Sequence, residues 1–253
     1  QLYHALEWTP PVFAHIPLIH GPDGAKLSKR HGAMAAADYR TMGFLPEAMR
    51  NYLARLGWSH GDDEIFSTAQ AVAWFEFDSV GRSPAQFDFD KLRNLNGHYI
   101  QQSSSDELTA RMANDLASAA GGNLTVQARK RVLALLPELM KRAKTIHELI
   151  DSSEFLVLNR PITMDDTAAK LLDADACALL SRLVPNLTGV QPWTRETVEA
   201  VIRSFAESEG RKLGNIAQPV RAALTGRTTS PGIFEVLEAL GAEESLGRLA
   251  DVA

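Results

Sequence analysis

Beyond Ser105 the apolar residues of this chain follow the helical period almost throughout, and no alternating strand pattern survives. Residues 108–120, 126–136, 138–150, 168–184 and 194–207 each place one apolar face along a helix. A part built this way buries its surface by packing helix on helix. Near its end, residues 215–224 read as a further helix, interrupted by Pro219 or shifted to begin near it. Ser230 is expected to cap the next helix, with Pro231 in its first turn and Gly241 ending it.

The first hundred residues are more varied. Pro11-Val12-Phe13-Ala14-His15-Ile16-Pro17-Leu18-Ile19 reads as a short, largely buried strand leading into a Gly21-Pro22-Asp23-Gly24 turn. Leu45, Ala48, Met49, Tyr52, Leu53 and Leu56 share one helical face, with Pro46 at its start and Gly57 past its end. Ser67 with Gln70, and Ser104 with Glu107, have capping-box spacing. Asp88-Phe89-Asp90 is expected to open a helix running to Tyr99. The polar break Gln101-Gln102-Ser103-Ser104-Ser105-Asp106 marks a domain boundary, giving domains 1–102 and 103–253.

The chain is 253 residues long with a net charge of -5, which argues against a protein that coats nucleic acid through a global basic surface. Locally the balance reverses. Between residues 127 and 145, Arg129, Lys130, Arg131, Lys141, Arg142 and Lys144 face only Glu138. Between 203 and 227, Arg203, Arg211, Lys212, Arg221 and Arg227 face Glu207 and Glu209. Charge runs on helices are commonly solvated faces, and Trp74 and Trp193 fit a core as well as a base-stacking role. The single cysteine, Cys177, allows neither an internal disulfide nor a cysteine-based zinc site, so no metal site is expected and a reducing cytoplasm fits. No stretch reaches the roughly 20 apolar residues of a membrane span. The start at Gln1, with no basic apolar leader, suggests a fragment without a secretory signal.

Lys26-Leu27-Ser28-Lys29-Arg30 lies between the glycine-bearing turn and His31-Gly32-Ala33. Two ammonium groups three residues apart on a loop, with a hydroxyl between them, suit phosphates; a short basic run between glycines also suits a plain solvated loop. With His31-Gly32, these residues resemble the second nucleotide signature of class I aminoacyl-tRNA synthetases, in the form typical of bacterial glutamyl-tRNA synthetases. Further blocks resemble that family in the same order. They are Gly43-Phe44-Leu45-Pro46-Glu47-Ala48, Leu56-Gly57-Trp58-Ser59, Phe87-Asp88-Phe89-Asp90-Lys91-Leu92, Lys212-Leu213-Gly214, and Ala223-Leu224-Thr225-Gly226-Arg227 with Ser230-Pro231-Gly232.

The resemblance implies a mostly α chain. It would comprise the remnant of a Rossmann-like catalytic domain and a helical stem-contact region, then an all-helical anticodon-binding domain. It implies ATP with Mg2+, L-glutamate and tRNA(Glu) as partners in the intact enzyme, which would be a cytoplasmic monomer. It assigns Lys26, Leu27, Ser28, Lys29 and Arg30 to ATP, with Lys29 and Lys26 catalytic, and Arg211, Lys212, Arg221 and Arg227 to tRNA. Arg227 fits a helix brace equally well. The family's first signature, His-x-Gly-His, has no counterpart among the seven histidines; His15, His20 and His98 lack such a partner. Three alternatives stand beside catalysis: a tRNA-binding module inactive by itself, a parent that also or only charges tRNA(Gln), and a helical scaffold unrelated to tRNA.

Overall fold

The computed structural model describes residues 1–27 and 35–253. They form two compact units, Gln1–Tyr99 and Ile100–Ala253. In chain order the first holds α1 (Leu2–Ala5), β1 (Ile19–His20), α2 (Ala36–Thr41), α3 (Pro46–Arg55), α4 (Thr68–Trp74) and β2 (Ala85–Gln86), followed by α5 (Phe89–Gln102). The second holds α6 (Ser105–Ala119), α7 (Val126–Met140), α8 (Ile146–Ser153), α9 (Asp166–Ala169) and α10 (Ala174–Leu187). It continues with α11 (Arg195–Ser208), α12 (Leu213–Thr225), α13 (Ile233–Leu240) and α14 (Ala242–Ala250).

In the first unit β1 and β2 pair in parallel, Ile19 with Ala85 and His20 with Gln86. Tyr39, Phe44, Tyr52, Phe87 and Leu92 make the core, joined by Ile19 and Leu27. The expected buried strand over 11–19 is corrected: only Ile19–His20 is strand, and Val12 is 100% and Ile16 80% exposed. An apolar run becomes a buried strand only between neighbours, and among the described residues this one pairs with β2 and, through a single bridge, with Lys26, at Ile19 and His20 alone. α3 begins at Pro46 as its sequence predicts, and α4 carries the full Ser67–Gln70 capping box. Asp88 Oδ1 accepts the N–H groups of Asp90 and Lys91 at the start of α5.

Asn96 on α5 is fully buried, and its Oδ1 accepts the Leu45 N–H at 2.7 Å, just ahead of α3, while its Nδ2 donates to Gly43 O at 3.4 Å. Asn96→Ala strands both backbone groups in a dry site, and about 3 kcal/mol of stability is expected to be lost from residues 1–99. Urea unfolding of the variant checks this; a midpoint equal to wild type would show the bonds to be dispensable.

The second unit is built of helices, and α10 packs against α11, α12 and α14. Leu179, Leu180, Leu183 and Leu187 on one stripe of α10 have no exposed surface. The expected helix over 138–150 is corrected. α7 continues to Met140, and α8 starts afresh where Thr145 Oγ1 accepts the Glu148 N–H and Glu148 Oε2 accepts the Lys144 N–H. The expected helix over 168–184 likewise divides into α9 and α10, capped by Asp165 and Asp173. Pro219 neither interrupts α12 nor starts it; the helix runs through it because Ile216, Pro219 itself and the turn that follows, Val220 with Ala222 and Ala223, are buried, outweighing one missing backbone bond. Ser230 does not cap α13, whose N-cap is Gly232, because its hydroxyl is engaged elsewhere. Trp193 is half-buried and donates from Nε1 to Leu237 O.

Candidate functional site

Of the five basic-loop residues, Lys26 and Leu27 are placed; Ser28, Lys29 and Arg30 lie outside the described residues. The root of the loop is a tight hairpin. Gly21 N–H donates to Ala25 O at 2.8 Å, Leu27 N–H to Ile19 O at 2.8 Å, and Gly24 closes the turn at φ +75°. Asp23 Oδ1 accepts the Ala25 N–H, and Gln86 Nε2 reaches across from β2 to Gly21 O and Pro22 O. Alternation along the hairpin sends Leu27 to the core and leaves Lys26 exposed. Lys26 and Leu27 therefore stand on a base fixed to both strands.

The second unit holds a cavity of about 260 Å³ with three walls. Leu139 comes from the end of α7 and Arg142 from the turn after it, Asp151 and Phe155 from α8 and the 3₁₀ turn Glu154–Leu156, and Arg227 with Ser230 from the loop between α12 and α13. Its arginines differ in how they are neutralised. Arg227 makes a two-pronged ion pair with Asp151 (2.6 and 2.9 Å) and a third bond to Glu154 (3.2 Å), and the Asp151 hydrogen bond holds its pKa above the ordinary value. Arg221 lies outside the lining but donates from Nε to the lining Ser230 Oγ at 3.0 Å, and burial followed by the charge of Arg142 pushes its pKa down. Among the described residues neither Arg221 nor Arg142 has a carboxylate within ion-pair distance. Arg142 in the lining and Arg221, which reaches the lining through Ser230, thus keep guanidinium charge with no carboxylate partner, an arrangement that suits an anionic ligand, since such a fork donates to phosphate or base edges.

The remaining predicted cations lie elsewhere. Arg211 is clamped by Asp175 through bonds of 2.7 and 2.8 Å, and Lys212 is exposed at the N-terminal boundary of α12. α12 rises about 1.5 Å per residue, so roughly 15 Å of helix separates Arg211 from Arg221. Arg142 is one charge among six in its basic run, and the marker that could single it out is its position in the turn between α7 and the Thr145 cap.

A further polar cleft, of about 500 Å³, lies in the first unit. Lys91, Asn94 and His98 from α5 face it together with Arg55, which pairs with Glu64 at 2.9 Å. The Nε2 of His98 is buried without a hydrogen-bond partner. Among the described residues no group of three His, Cys, Asp or Glu side chains could hold a metal ion, and no helix is long and apolar enough to cross a membrane.

Comparison with known proteins joins these surfaces to a family. Residues 107–253 match the anticodon binding domain, and residues 1–94 match the catalytic domain of class I (E and Q) tRNA synthetases. The chain is 54% identical over 253 residues to glutamate–tRNA ligase 2 of Parvibaculum lavamentivorans, with 100% of this chain and 52% of that protein covered. It is 56% identical over 252 residues to glutamate–tRNA ligase 2 of Paramagnetospirillum magneticum, with 99% and 53% covered. The crystal structure of a glutamate tRNA ligase from Elizabethkingia meningosepticum, in complex with its amino acid, matches with a TM-score of 0.83 at 26% identity, over 99% of this chain and 53% of that one. The chain spans about half the length of the curated relatives it matches. Over residues 107–253, more than half of its length, the chain belongs to the anticodon binding domain family, and residues 1–94 set before it a segment of the catalytic domain of class I (E and Q) tRNA synthetases.

Proposed function

We propose that this chain supplies the tRNA-binding surfaces and the second nucleotide signature of a cytoplasmic, monomeric glutamate–tRNA ligase. Such an enzyme uses ATP, as its Mg2+ complex, to form glutamyl-adenylate and then transfers glutamate to tRNA(Glu). Residues 1–102 take the catalytic and stem-contact part, with the Lys91–His98 cleft toward the RNA, and residues 103–253 the anticodon part. The observation that carries the reading is the pair of guanidinium groups, Arg142 in the cavity lining and Arg221 behind Ser230, left without a carboxylate partner among the described residues. A carboxylate offsets Arg227 in the same cavity, and others offset Arg182 and Arg211 elsewhere in the unit, whereas these two are spared.

Gel-shift titration of the 253-residue chain with tRNA(Glu), tRNA(Gln) and a tRNA of unrelated anticodon tests it. Binding that favours tRNA(Glu) and weakens steeply with salt is expected. Preference for tRNA(Gln) would move the substrate, and equal binding of all three would overturn anticodon reading. Glutamate charging is not expected from this chain alone, and robust charging would contradict the division of labour proposed.

In adenylate formation, negative charge gathers on the departing pyrophosphate, where a positioned cation acts most strongly. Lys29 takes that role, Lys26 steadies the phosphates from the hairpin root, Ser28 shapes the loop, and Leu27 anchors it in the core. In the longer enzyme, Lys29→Ala is expected to slow ATP–pyrophosphate exchange by about 10² to 10³, roughly 3 kcal/mol. Exchange at the wild-type rate would remove Lys29 from the mechanism.

A further inference from the structure

Arg248 on α14 is 1% exposed and lies behind the α7–α8–α12 cavity, not in its lining. Each of its three guanidinium nitrogens donates a hydrogen bond. Nη1 donates to Leu224 O at 2.7 Å, near the end of α12, and Nη2 to Leu158 O at 3.2 Å, just past the 3₁₀ turn that carries Phe155. Nε donates to Glu244 Oε1 at 2.7 Å, and the other oxygen of Glu244 accepts from Arg131 Nη2 of α7 at 3.0 Å. The Arg248–Glu244 pair therefore touches all three elements from which the cavity's walls arise: α7, leading to Arg142; the segment after α8; and the end of α12, leading to Arg227 and Ser230.

Packing alone would not require a charge here, since apolar side chains can replace a buried ion pair at no loss of stability. What a guanidinium adds is a rigid planar fork, whose bonds fix the directions and spacing of the carbonyls that it joins. Arg160, which pairs with Asp251 and donates to Gly247 O, braces the same face of α14.

We propose that Arg248 is a positioning residue for RNA recognition: from behind the cavity it sets the spacing of the walls that hold Arg142 and Ser230, the partner of Arg221. This rests on the reading that the cavity takes an RNA ligand. The probe is an anticodon stem–loop RNA of tRNA(Glu), titrated at fixed salt and well below each variant's Tm. Arg248→Met is expected to weaken binding about tenfold. Arg248→Lys, whose one ammonium can serve only part of the fork, is expected to weaken it about threefold. On an Arg221→Ala background each loss is expected to shrink to less than twofold, because the two residues act on one recognition event.

A residue that only stabilises the fold would lower Tm and leave the dissociation constant alone. Wild-type affinity in Arg248→Lys and Arg248→Met, or the same loss with and without Arg221, overturns the proposal. If Arg248→Met does not fold, Arg248→Lys decides by the same cycle. Failure of the wild-type chain to bind the stem–loop is a separate result, and it would reject the RNA-binding reading itself.

Discussion

Replacing Gly226 with valine is expected to lower the unfolding free energy of residues 100–253 by about 4 kcal/mol. Two costs add. Gly226 ends α12 at φ +70°, a left-handed conformation that costs an L-residue with a Cβ about 1–2 kcal/mol. A Cβ there would also press into the backbone at Thr163 O, with Met164 Cα close behind, and overpacking against atoms that cannot swing away costs about 1–3 kcal/mol. The approach is held from both sides: Gly226 N–H donates to Ala222 O and Gly226 O accepts the Asp165 N–H, each at 2.9 Å. Gly210, at φ +64° with open space around its Cβ position, isolates the first cost. Urea midpoints of Gly226→Val and Gly210→Val, at unchanged slope, give the comparison. Equal losses would show that the close approach to Thr163 carries no weight.

Ser67, Ser104 and Thr194 are legible as caps because an N-cap is a local contract: a hydroxyl meets an N–H three residues on, whatever the rest of the chain does. The same local grammar is present at Thr145 and Glu148, but the apolar period runs through it and hides the break between α7 and α8. Ser230 shows the opposite failure. Its sequence reads as a cap before a proline, yet Arg221, nine residues earlier, occupies the hydroxyl and moves the start of α13 to Ile233. Residues 11–19 mark a further limit, since an apolar run says what a segment would gain from burial and not whether a neighbour is there to bury it.

The binding surface divides along the same line. The sequence shows that Arg211, Arg221 and Arg227 are cationic, but neutralisation is a tertiary matter. Arg211 meets Asp175 across 36 positions, and Arg227 meets Asp151 across 76. No window of sequence contains either pair. Arg142 and Arg221 are 79 positions apart, so their convergence is equally out of view.

That convergence sets the largest expected effect on binding. Arg142→Ala combined with Arg221→Ala is expected to weaken tRNA(Glu) binding by about 10³, roughly 4 kcal/mol, since each guanidinium bonded to a base edge or phosphate is worth about 1–3 kcal/mol. Arg211→Ala serves as the internal control. Asp175 already holds that charge at half-exposed positions, so its removal is expected to change affinity less than threefold. The salt dependence tells the two kinds of recognition apart: removing one cation that neutralises a phosphate flattens the slope of log K against log salt by about 0.7 to 0.9, whereas removing a hydrogen bond to a base edge leaves it unchanged. If both arginines read bases, the double variant loses its preference for tRNA(Glu) over a tRNA of unrelated anticodon and keeps the slope. If both hold phosphates, it keeps the preference and flattens the slope. A loss below tenfold, or one matched by Arg211→Ala, would mean that the unneutralised pair is not where the RNA sits.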